Sequence, residues 1–203
     1  MDLRETYNAI AEEWHRDHAQ DDWWVEGTDK FISLLNKGDS VLDAGCGGGT
    51  KSRYLRRRGL KVVGIDFAPK MIDIARRETP DAEFIEADLN DIDKLDCDFD
   101  GIFMQAVLLH IPRNNAAEVL RKAVSRLKNR GYFYVAVKEK KFDGPSEEVK
   151  IENDYGYPYE RFFSYFTANE IKSYMKNCGL DIVFSDIRPS GRTRWIQIIG
   201  KKK

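Results

Sequence analysis

The chain has 203 residues, 42 % of them hydrophobic, which suits one well-buried core and is short for two domains. Its 33 basic and 34 acidic side chains leave a net charge of −1, so no global attraction to nucleic acid or to an anionic membrane is expected. Cys46, Cys97 and Cys178 lack C-x-x-C spacing, no apolar run reaches bilayer length, and Met1 is followed by charged residues. These features point away from a disulfide framework, a zinc site, a membrane span and a leader, toward a cytoplasmic protein with residues 1–203 in one domain.

Residues 1–39 read as helical, with Tyr7, Ile10, Ala11 and Trp14 on one face and Trp23 and Trp24 following. Its first 30 residues are acidic, holding nine Asp and Glu, and the segment is the expected lid. Seven strands are expected at Ser40–Ala44, Lys61–Asp66, Glu83–Ala87, Phe99–Gln105, Tyr132–Lys138, Asp181–Ile187 and Arg194–Gly200. Helices are expected at Thr50–Arg58, capped by Gly59, and at Pro69–Arg77, with proline in the first helical position. A further stripe, Val119, Leu120, Ala123, Val124 and Leu127, predicts a helix ended by Gly131.

Strands separated by helices need crossover connections, so the expected fold is α/β: a doubly wound, mostly parallel seven-stranded sheet with helices on both faces. The short link 188–193 suits a hairpin, which makes the last strand antiparallel. Residues 40–138 would be the ligand-binding core and 167–203 a C-terminal helix and hairpin. The aromatic stretch 139–166 interrupts the alternation and is read as a substrate insertion.

The densest information lies in Val41-Leu42-Asp43-Ala44-Gly45-Cys46-Gly47-Gly48-Gly49. The apolar pair ends a buried strand, and the glycines permit a tight turn with close approach of a ligand to the backbone. Asp43 decides the ligand's charge. A turn built to cradle a pyrophosphate would not tolerate a carboxylate at its strand tip, whereas a cationic ligand would favour one. Thr50 also occupies the place of the last glycine in the dinucleotide pattern. Asp66 and Asp88 follow at the ends of the next two strands, so three carboxylates are expected along one crevice. Asp66 lies one βαβ step beyond the glycines, where it can accept from ribose hydroxyls. Asp88 can receive a purine amino group, with Leu89 beside it as a backbone donor. Taken singly, each Asp also suits a turn or a helix cap.

With these residues the chain resembles the class I S-adenosylmethionine-dependent methyltransferases. Val41 to Thr50 looks like their first motif, Val63 to Ile72 their second and Ala87-Asp88-Leu89 their third. Phe99 to Pro112 is similar to their fourth-strand segment, with one histidine kept where two are frequent. The resemblance implies a Rossmann-like methyltransferase fold with S-adenosylmethionine as cofactor. Asp43, Gly45, Cys46, Gly47 and Gly49 would hold its methionine end, Asp66 its ribose, Asp88 and Leu89 its adenine. Gln105 would lie beside the sulfonium, and Phe67 and Met71 would flank the adenine ring, Met71 serving equally as core.

The reaction implied is displacement at the methyl carbon by an N or O atom of a small molecule, with His110 the best placed of three histidines for proton transfer. Trp14, His18, Trp24, Tyr157, Arg161 and Tyr165 are the expected acceptor-binding residues. RNA is the alternative acceptor, because Arg161-Phe162-Phe163-Ser164-Tyr165-Phe166 resembles an Arg-aromatic segment of wobble-uridine tRNA methyltransferases and the C-terminal tail is basic. A non-catalytic cofactor-binding module is a third reading. No metal is expected: Asp96 to Gly101 copies the opening of a calcium loop, but Val107 stands where its glutamate belongs. The protein is expected as a monomer or homodimer.

Overall fold

Val41, Leu42, Ile65, Ile102, Phe103 and Met104 are all fully buried, as strands covered on both faces require. The computed structural model describes residues 2–203, and these side chains lie in β1 (Ser40–Ala44), β2 (Lys61–Asp66) and β4 (Phe99–Gln105). With β3 (Glu83–Glu86), β5 (Leu127–Lys138), β8 (Leu180–Ser190) and β9 (Thr193–Lys202) they form a seven-stranded sheet in the order β3-β2-β1-β4-β5-β9-β8. The pairs β1–β2, β1–β4, β2–β3 and β4–β5 are parallel, whereas β9 pairs antiparallel with both β5 and β8. Helices α1 (Leu3–Asp17) and α2 (Val25–Ile32) precede the sheet. Helices α3 (Thr50–Arg57), α4 (Pro69–Glu78), α5 (Arg113–Ser125) and α6 (Ala168–Asn177) connect its strands.

Alternation along the strands divides the core. Leu42, Ile102, Phe133, Val135 and Val137 pack with Val119, Leu120 and Ala123 of α5 and Ile171 and Met175 of α6. Val41, Phe103, Tyr134 and Ala136 point the other way, against Phe31 of α2 and Leu55 of α3. Trp23 stacks on Trp195 of β9, ring centroids 3.9 Å apart, and so ties the N-terminal segment to the last strand.

Two expectations need correction. The helical stripe ends at Ser125, and Leu127 already belongs to β5. Gly131 therefore does not end a helix: it lies in β5 beside an irregular register with β4, where an added Cβ would sit 2.8 Å from the Asp100 carbonyl. The insertion contains a second, two-stranded antiparallel sheet, β6 (Glu147–Glu152) with β7 (Tyr159–Ser164), that was not expected. On β6 the polarity is inverted. Val149 and Ile151 are exposed, while Glu148, Lys150 and Glu152 are half-buried, which removes the usual sign of a half-buried strand.

Candidate active site

Parallel strands deliver the ends of β1, β2 and β4 to one side of the sheet, and the turn 45–49 closes over them. Gly45 and Cys46 donate backbone N–H groups to the Ile65 carbonyl at 2.8 and 2.9 Å, which fixes the turn to β2. Gly45 has φ +76°, and a Cβ there would lie 2.3 Å from Val107 Cγ2, so both conformation and space require glycine. Asp66 braces the turn: one oxygen accepts from the Gly47 N–H at 2.9 Å, the other from the Ala68 N–H at 3.0 Å.

Beneath the turn lies a cavity of about 170 Å³. Asp43, Gly45, Cys46 and Gly47 form its floor, Asp66, Phe67 and Met71 one wall, and Asp88, Leu89, Gln105 and His110 the rest. Gly49 stands outside the lining, at the start of α3 with φ +81°. Asp88 also caps the short 3-10 turn Leu89–Lys94, accepting from the Asn90 N–H at 2.7 Å. Met71 is buried against α1 and lines the cavity as well, so both readings of it hold.

Burial sets the electrostatics. Asp43 is 2 % exposed and accepts from Ser52 Oγ at 2.6 Å; desolvation pushes its carboxyl up to about 6 despite that bond. Asp66 is likewise pushed up to about 6 by desolvation, against three backbone donors. Burial lowers Lys51, which lines the cavity with its ammonium 5.3 Å from the Trp24 ring centroid, while the charge of Asp43 acts against that shift. The Gln105 side chain is buried with neither its Oε1 nor its Nε2 hydrogen-bonded, and the Trp14 indole N–H is unsatisfied too. Buried polar atoms without partners are costly, so a cavity lined by two side chains that carry them suits a polar ligand.

At the α1 side, His110 bridges two groups. Phe162 offers a carbonyl 2.7 Å from Nδ1, an acceptor that demands the proton there, so Nε2 accepts from the Tyr7 hydroxyl, also at 2.7 Å. Desolvation lowers His110 to about 3, and burial raises Tyr7; both are neutral at physiological pH. Arg161 reaches within 3.5 Å of the Tyr7 oxygen and is held bidentately by Glu152 at 2.5 and 2.7 Å.

Of the six expected acceptor residues, Trp14 alone lines the cavity. His18 stacks on its outer side at 4.3 Å. Trp24 is buried behind the wall, edge-on to Tyr54 at 5.0 Å, and Tyr157 hydrogen-bonds the Ala9 carbonyl at 3.2 Å. Arg161 stands behind Tyr7, and Tyr165 bonds Glu148 in a separate recess. The sequence reading missed Tyr7, Lys51 and Ser52. The signal for Lys51 and Ser52 was their place in the first turn after the glycines; for Tyr7 there was none beyond its helix face.

Residues 41–131 match a family model described as a methyltransferase domain. This segment is thus similar to a methyltransferase domain, and the sheet around it has the Rossmann-like fold of the class I methyltransferases. Ubiquinone biosynthesis O-methyltransferase of Coxiella burnetii is 34 % identical over 113 residues, 47 % of this chain and 48 % of that protein. The chain spans about half the length of the curated relatives it matches. Two solved structures share the methyltransferase fold across nearly the whole chain. The 1,6-didemethyltoxoflavin-N1-methyltransferase of Burkholderia thailandensis, with bound S-adenosylhomocysteine, has TM-score 0.77 at 18 % identity and covers 99 % of this chain and 87 % of its own. Magnesium protoporphyrin IX methyltransferase of Synechocystis, with bound S-adenosylmethionine, has TM-score 0.75 at 17 % identity, covering 99 % and 95 %. No helix among the described residues is long and apolar enough to cross a membrane.

Proposed function

We propose that the chain, acting as one unit with α1 and α2 as its lid, transfers a methyl group from S-adenosylmethionine to an N or O atom of a small molecule. The observation that carries this reading is the buried Gln105 amide without a partner, lining a cavity that holds Asp43 and Asp66 and no phosphate cradle free of carboxylate. The cofactor is a cation with a zwitterionic methionine end, and the cavity answers each part: Asp43 suits the ammonium, Lys51 the carboxylate, Asp66 the ribose hydroxyls, Asp88 and the Leu89 N–H the adenine edge. Phe67 and Met71 suit the ring faces. Bound there, the cofactor supplies an activated methyl whose bond to sulfur breaks as the acceptor's lone pair attacks from the opposite side.

Tyr7 and His110 face the acceptor end. His110 is too weak a base to hold a proton in the resting site, but a hydroxyl becomes strongly acidic as it is methylated. Its proton can pass to the Tyr7 oxygen while the Tyr7 proton moves to His110 Nε2. An acceptor arriving as an anion needs neither step. Leu3, Tyr7 and Trp14 close α1 over the cavity, which favours a small acceptor over an RNA strand. The three unpaired cysteines suit the reducing cytoplasm.

Calorimetry with S-adenosylmethionine, S-adenosylhomocysteine and NAD tests the cofactor reading. Saturable uptake of the first two, lost in Asp66→Ala, is expected; uptake of NAD alone overturns it. Incubation with labelled cofactor and a metabolite pool tests transfer, and uptake without labelled product identifies a binding module instead.

A further inference from the structure

A second recess of about 880 Å³ opens between the end of β5, the β6–β7 hairpin and the turn joining β8 to β9. Lys138, Lys140, Lys141, Lys150, Arg192 and Arg194 line it, against two carboxylates, Glu139 and Glu148. Both acids are already engaged. Arg194 donates to Glu139, while Glu148 accepts from the Tyr165 hydroxyl at 2.7 Å and pairs with Lys150 at 3.3 Å. Lys138, Lys140, Lys141 and Arg192 have no carboxylate partner among the described residues.

Lys138 is the telling member. Its ammonium is half-buried over aromatic faces, 4.0 Å from the Phe163 ring centroid and 5.8 Å from that of Trp195. Desolvation, with Arg161 and Lys150 nearby, lowers it to about 8. A cation withdrawn from water with no carboxylate in contact, and only the more distant charges of Glu152 and Glu148 to offset Arg161 and Lys150, is tolerated at a cost in stability that an arriving oxyanion would reduce. The lining carries four more positive than negative side chains, which a single carboxylate would not balance and a phosphoryl or diphosphoryl group largely would.

We propose that this recess binds a phosphorylated small molecule, its oxyanions held by Lys138 with Lys140, Lys141 and Arg192. The site is separate from the cofactor cavity but close to it: the Phe163 ring under Lys138 also packs against His110, centroids 5.0 Å apart. A ligand here lies one aromatic ring from the Tyr7–His110 pair. The inference rests on the recess alone and stands whichever acceptor the protein uses.

Calorimetric titration with inorganic pyrophosphate tests it. Saturable one-to-one binding is expected, weakened at least tenfold in Lys138→Gln and severalfold in Arg192→Gln, a change on an exposed turn that spares the core. Lys201→Gln, placed outside the recess beside Tyr132, should leave it unchanged. Saturating S-adenosylhomocysteine should leave it unchanged too, which separates the recess from the cofactor cavity. Absence of saturable binding, equal loss in Lys201→Gln, or uptake of RNA but not of pyrophosphate would each overturn the assignment.

Discussion

Replacing Asp43 by asparagine separates what the cavity does for stability from what it does for binding. In the folded chain the carboxyl is raised from 3.8 to about 6 by burial, which amounts to about 3 kcal/mol of strain at neutral pH. Asparagine keeps the shape and removes the charge, at a loss of about 1 kcal/mol through a weaker bond from Ser52. The net gain of about 2 kcal/mol corresponds to a rise of roughly 4–8 °C in Tm for a domain of this size. The pH dependence fixes the cause. Between 3.8 and about 6 the folded state binds more protons at Asp43 than the unfolded state, so wild-type stability falls as pH rises through that window and levels off above it. The variant should lack this slope, so its advantage is absent near the lower limit and full at neutrality; Asp66, with its own carboxyl at about 6, contributes equally to both. Binding should move the other way: losing one partner of a buried charge pair costs about 2–5 kcal/mol, a thirtyfold or greater loss of S-adenosylmethionine affinity. Thermal melts across this pH range with calorimetry at neutral pH measure both. A variant no more stable than wild type at neutral pH, or one that binds the cofactor undiminished, refutes the reasoning.

Gly45→Ala should lower Tm and reduce cofactor uptake, because the left-handed φ alone costs about 1–2 kcal/mol and the clash with Val107 adds to it; adding Val107→Ala removes the Cγ contacts but leaves its Cβ 2.6 Å away, so it should recover only part of the clash and none of the conformational cost. Tyr7→Phe should reduce turnover of a hydroxyl acceptor by roughly 10² or more while leaving cofactor affinity intact, measured by steady-state kinetics beside calorimetry. Because His110 is held at about 3, the pH profile of turnover should carry no histidine limb between about 5 and 8; a limb abolished by His110→Gln would show the ring to be solvated. Trp24→Ala should cost about 3–5 kcal/mol in denaturant melts, since the ring packs on Tyr54, and should also weaken cofactor uptake in calorimetry, because the Lys51 ammonium sits 5.3 Å from its centroid.

The central sheet was legible because its strands are apolar runs bounded by glycine and proline, and a run such as Val62 to Ile65 tolerates few alternatives to a buried parallel strand. Asp43, Asp66 and Asp88 were legible for a related reason: strand ends in such a sheet converge whatever the loops do. The junction after α5 was not, because Leu127 continues the helical spacing of Val124 and Leu120 while belonging to β5. The β6–β7 hairpin escaped because Val149 and Ile151 face solvent and the charged residues face inward. Least legible was which aromatic rings line the cavity. Trp24, Tyr157 and Tyr165 share their composition with Tyr7 and Trp14, and the packing of α1 and the insertion, which local pattern does not encode, decides which aromatic ring reaches the cavity.

The sheet order also bears on how the chain is made. β9 lies between β5 and β8, so while a ribosome is still synthesising the segment after β8, the edge of β5 stands open with its backbone groups unpaired. Vectorial folding from the N-terminus can complete β1 to β5 but cannot seal that edge, and the Trp23–Trp195 stack must wait for the start of β9. A nascent chain stalled before Thr193 therefore presents a sticky border, which makes this stage the natural point for a holdase to engage and for premature termination to yield aggregates.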